Sequence, residues 1–106
     1  MNRDDTPDNE LLKLAGKAVG GIEQDGAFFY CRNQHKDICP WNPLTDDGDA
    51  LRLAVQLGML FTYMHERFEL FQRFYREELD KDRRPSEATR RAIVRTAAQI
   101  GKEMQP

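Results

Sequence analysis

The chain has little cysteine, no long apolar run and almost no net charge, and each shortage removes a class of protein. Two cysteines in 106 residues, Cys31 and Cys39, are too few for a disulfide scaffold and read as thiols in a reducing compartment. No stretch approaches the roughly 18 consecutive apolar residues of a membrane span, and the polar opening Met1-Asn2-Arg3-Asp4-Asp5 lacks the apolar core of a secretory leader. The expectation is a cytoplasmic protein with no membrane partner. A formal net charge of −2 supplies no global field toward nucleic acid. Phosphate-cradling glycine loops, a Gly-x-Ser-x-Gly elbow and a His-Glu-x-x-His pair are all missing. With few plausible acid/base pairs either, no catalytic, cofactor or metal residue is nominated, and a non-enzymatic protein is expected.

What remains suits one soluble domain spanning residues 1–106, with 1–7 polar and frayed. Hydrophobic content of 40% against 32% charged residues supports a packed core rather than a disordered chain. The small net charge hides a polarity. Residues 1–50 carry 10 acids and 5 bases, whereas residues 51–106 carry 8 acids and 11 bases. A partner could read that difference.

Helix signals are clear at three places. From Asp8, the residues Leu11, Leu12, Leu14, Ala15, Ala18 and Val19 share a face, with Thr6-Pro7-Asp8 as the start and Gly20-Gly21 as the stop. After the Asn42-Pro43 break, Thr45 or Asp46 can cap a second helix. Asp46, Asp47 and Asp49 suit the positive end of its dipole, and Gly58 can end it. Its apolar residues cover most of its circumference, which places it at the centre of the core. Pro85-Ser86 opens a third, to about Met104, with Thr89, Ala92, Ile93, Thr96, Ala97, Ile100 and Met104 on its apolar stripe and Arg91, Arg95 and Lys102 on another side.

Two regions point to strands. Asp25-Gly26 between residues 19–24 and 27–31 is a strong hairpin cue, because a type I′ turn needs φ > 0 at both central positions. Residues 59–79 are ambiguous. Phe61, Met64, Phe68, Phe71, Tyr75 and Leu79 recur at helical steps, which slightly favours a helix. The β-propensity of Phe, Thr and Tyr favours two arms, 59–65 and 68–75, turning at Glu66-Arg67.

The segment Trp41-Asn-Pro-Leu-Thr-Asp-Asp-Gly-Asp-Ala-Leu-Arg-Leu-Ala-Val55 resembles the signature of the small phage and prophage proteins grouped as the phage ABA sandwich domain. The ending Ala88-Thr-Arg-Arg-Ala-Ile-Val-Arg-Thr-Ala-Ala-Gln-Ile-Gly101 resembles that family's terminal helix. The resemblance implies a phage origin, hence the cytoplasm of a bacterial host, and strands for the stretch between the two helices. It carries no catalytic residues over. The fold expected is therefore α+β: a small, mainly antiparallel sheet sandwiched with about three helices.

Candidate sites are few. Cys31-x3-His35-x3-Cys39 holds three soft ligands but not the paired spacing of a zinc site, and a small thiol with a loop histidine is the simpler reading. The three acids before the second helix lack the distant Glu that closes a calcium loop, so capping explains them. Trp41 could anchor a partner or fold over the following helix turn. The basic residues Arg84, Arg90, Arg91, Arg95 and Lys102 are the best candidate surface, although acids are interspersed among their neighbours. The leading expectation is a phage-encoded accessory protein that binds a host protein, such as a defence or regulatory component. The alternative is nucleic-acid binding by the basic C-terminal helix. The apolar second helix and the aromatic stretch also leave homo-oligomerisation open.

Overall fold

The computed structural model of the protein describes residues 6–20, 22–24, 27–31, 38–60 and 64–104. Four helices build its body: α1 (Asp8–Ala18), α2 (Asp47–Leu57), α3 (His65–Leu79) and α4 (Pro85–Glu103). Three short segments, β1 (Ile22–Gln24), β2 (Ala27–Cys31) and β3 (Ile38–Pro40), pair as an antiparallel meander in the order β1-β2-β3. Gln24 faces Ala27 across the first pair and Tyr30 faces Cys39 across the second. This ribbon meets the helices through β2 against α1. The turn residues Asp25-Gly26 lie outside the described residues.

The expected α+β sandwich is overturned, because among the described residues the mass is a helical packing and no sheet is layered between helices. The decisive segment is α3, where strands were expected. From Glu66 onward, Glu, Arg, Gln and Leu dominate, and these straight-chain residues lose little rotamer freedom in a helix. Helical winding also places Phe71, Phe74 and Glu78 on one face, three and four residues apart, with Phe74 and Glu78 buried. A strand would send Phe71 and Phe74 to opposite faces. Packing on α4 therefore outweighs the β-propensity of the aromatics. Residues 61–63 of the expected first arm lie outside the described residues.

Helix ends follow their capping chemistry. Asp46 caps α2, its carboxylate accepting from the Asp49 backbone N–H at 2.8 Å, and Gly58 closes the helix in the left-handed conformation at φ 70°. Pro85 stands in the first turn of α4, where its missing N–H costs nothing.

The central element is α4, not α2. It packs against α1, α2 and α3, and it buries Ala88, Ala92, Ile93, Val94, Arg95, Thr96, Ala97, Ala98 and Gly101. Four alanines and a glycine allow neighbouring backbones to come close. By contrast α2 buries one side only, through Ala50, Leu53, Ala54 and Leu57, and leaves Leu51 and Val55 in solvent. No helix among the described residues is long and apolar enough to cross a membrane.

The tightest approach is at Gly101, where a β-carbon would overlap the main-chain carbonyl of Leu14. The obstacle is backbone, so it cannot swing aside. Gly101→Ala is expected to destabilise the fold by about 1–3 kcal/mol despite the better helix propensity of alanine. Urea unfolding of the two proteins measures the difference.

Candidate functional site

The residues nominated from sequence are distributed unevenly between core and surface. Trp41 is 6% exposed and joins the core with Leu44 and Leu53, so its ring is a structural element here. Arg84 is exposed at the N-cap position of α4, and Lys102 is exposed near the other end of the helix. Between them, Arg90, Arg91 and Arg95 are drawn inward by partners on other helices.

Arg90 reaches the entrance of α2, donating from Nε to the Leu44 carbonyl at 2.9 Å and from Nη1 to Asp47 Oδ1 at 2.7 Å. Around that contact the acids organise the chain. Asp49, buried, accepts from the Asn42 backbone N–H at 2.9 Å and from Arg52 at 2.8 Å. Asn42 Oδ1 accepts from the Leu44 N–H at 3.0 Å. Each acid thus has helix-start work or a cationic partner. No group of three His, Cys, Asp or Glu side chains among the described residues could hold a metal ion. His35 lies outside the described residues, and Cys31 and Cys39 stand on adjacent strands without facing each other in register.

Arg91 turns toward α1 and α3. Its Nη2 donates to Asp8 Oδ1 at 3.0 Å, and its Nε lies 3.4 Å from Glu78 Oε1. Arg95, 6% exposed, donates from Nη1 to Glu78 Oε2 at 2.9 Å and from Nη2 to Glu77 Oε1 at 2.8 Å. Its guanidinium carbon also sits 4.0 Å from the centre of the Phe74 ring, a cation–π contact in a desolvated place.

The point of convergence is Glu78, 1% exposed at the last turn of α3. Helix C-termini disfavour anions, so this carboxylate depends on the cations around it. Besides Arg91 and Arg95 it meets Arg83 Nε at 2.6 Å and Lys81 Nζ at 3.6 Å. The Arg83 and Arg91 contacts to Oε1 lack hydrogen-bond direction, so the oxygen and both Nε groups are ion-paired without a hydrogen bond among the described residues. Arg83 spreads its charge further by donating to Glu87 at 2.7 Å. A tight turn makes the cluster reachable. Asp82 adopts φ 65°, a left-handed conformation that Asp tolerates better than most residues, and the chain reverses so that Arg83 returns to Glu78.

Beside the cluster, α1, α3 and α4 frame a cleft of about 290 Å³. Leu11, Leu14, Phe74 and Ala98 supply apolar surface, and Thr6, Arg73, Glu78, Arg91, Arg95, Gln99 and Lys102 supply polar groups. Sequence reasoning nominated Arg91, Arg95 and Lys102, but it missed Arg73 and Glu78. A signal for Glu78 existed: it stands four residues after Phe74 on what is now a helical face.

Removing the Glu78 charge takes from the buried Arg95 its buried carboxylate, with the more exposed Glu77 still in contact. Glu78→Gln is expected to cost about 3–5 kcal/mol, as breaking a buried pair does, whereas the more exposed Glu87→Gln costs below about 1 kcal/mol. Chemical denaturation of both variants separates the two roles.

No family model, no curated protein and no solved structure matches the chain.

Proposed function

We propose that the protein is a non-enzymatic accessory protein that binds a protein partner through the outer face of α2. The observation that carries this is the pair Leu51 and Val55, 57% and 51% exposed and one turn apart on a helix whose other side is core. Apolar residues four apart form one contiguous contact stripe. Arg52 and Gln56, also exposed, flank it with polar groups, which suits a docking patch with a wet rim. A phage origin, the expectation drawn from residues 41–55 and 88–101, would make that partner a host protein.

The alternative, nucleic-acid binding along α4, has less support. Its three middle arginines answer Asp47, Asp8, Glu77 and Glu78, so few charges on that helix remain to track phosphates.

The test is affinity capture from bacterial lysate with wild type, Leu51→Lys/Val55→Lys and the α3 surface control Gln72→Lys. One host protein retained by wild type and by the control, but lost by the double variant, is expected. Both positions are exposed, so the double variant should keep its melting temperature. Equal capture by the double variant contradicts the reading. Concentration-dependent dimerisation of wild type that disappears in the double variant assigns the stripe to self-association instead.

A further inference from the structure

The cleft between α1, α3 and α4 has a composition that neither packing nor the α2 stripe explains. Its floor is apolar, from Leu11, Leu14, Phe74 and Ala98. Its walls are cationic, and the cations are of two kinds. Arg91 and Arg95 are held in place by Asp8, Glu77 and Glu78. Arg73 and Lys102 have no carboxylate partner among the described residues, although Arg73 lies 5.3 Å from the centre of the Phe74 ring.

We propose that this cleft binds a small organic monoanion, a carboxylate carried on a compact apolar body. Arg73 and Lys102 bring to its lining positive charge that no carboxylate among the described residues answers, which favours negative charge there. The apolar floor supplies the second half of the recognition, because a hydrated anion alone gains nothing from Leu11, Leu14 and Phe74. Volume sets the size: about 290 Å³ lies at the lower end of ligand pockets, enough for a single ring or a short chain. Glu78, facing the same space, opposes a second negative charge on the ligand. A monocarboxylate therefore fits better than a phosphate dianion.

The site differs from the α2 stripe in element and chemistry, so the two proposals fail independently. The experiment is a titration of the full chain, followed by amide resonances, with benzoate, its neutral isostere benzamide, and inorganic phosphate. Benzoate should give saturable shifts centred on Leu14, Phe74, Ala98 and Gln99. Benzamide and phosphate should each bind at least about five-fold more weakly, the first lacking charge and the second lacking an apolar body. The variant Arg73→Gln/Lys102→Gln, with both positions exposed, should keep the wild-type spectrum and weaken benzoate about five-fold or more. Absence of saturable shifts overturns the proposal. So does equal binding of benzamide, equal binding of phosphate, or benzoate binding unchanged in the double variant.

Discussion

Arg95 enters the middle of the protein on α4, where its guanidinium is met by Glu78 at 2.9 Å and by Glu77 at 2.8 Å, Glu78 being the buried one of the two. Moving either ion out of water alone would cost several kcal/mol, so each is the condition for burying the other. The rest of the α3–α4 packing follows from that pairing. Phe74, one turn before Glu78, lies under the Arg95 guanidinium, which fixes the rotation of α3 about its axis. The turn through Asp82 then brings Arg83 back to the same carboxylate. With Arg91 and Lys81 added, one buried anion gathers four cations from a single stretch of sequence, residues 81–95.

The basic run of α4 acts in this structure as a set of staples. Arg90 holds the entrance of α2 through the Leu44 carbonyl and Asp47. Arg91 reaches Asp8 on α1, and Arg95 reaches Glu77 and Glu78 on α3. Three arginines within six residues thus address the three helices packed around their own. Energetically they are unequal. The Asp47 and Asp8 carboxylates are largely exposed, and such pairs contribute little beyond orientation. The Arg95–Glu78 pair is the one buried on both sides, so breaking it is expected to cost the most.

Three helices were legible in the sequence because their boundary chemistry is local. Pro7, the capping Asp46, Gly58 and Pro85 mark ends that need no knowledge of the fold. What surrounds a helix is not local, and there the sequence misled. Residues 65–79 contain both helix-forming charges and strand-prone aromatics, and only the α4 surface decides between them. The apolar circumference of α2 suggested burial on several sides, yet its neighbours cover one, leaving Leu51 and Val55 outside. Arg95 read as a surface charge because a pattern of apolar positions cannot register a distant carboxylate. For the same reason the cleft was half visible: Arg91, Arg95 and Lys102 stood out as bases, whereas Arg73 and Glu78 acquire meaning only when α3 is a helix.

The proposed surfaces for action among the described residues are the apolar stripe of α2 and the cleft beside Glu78, both on a helical body held by internal ion pairs. Both readings take α4 as a rigid platform whose middle arginines are already engaged. A double-mutant cycle on Glu78→Gln and Arg95→Met, read by denaturant unfolding, tests that premise most directly. The account predicts a coupling energy of about 2 kcal/mol or more, with the double variant recovering much of the stability lost by Glu78→Gln. Coupling below about 0.5 kcal/mol, within the scatter of independent sites, would contradict it.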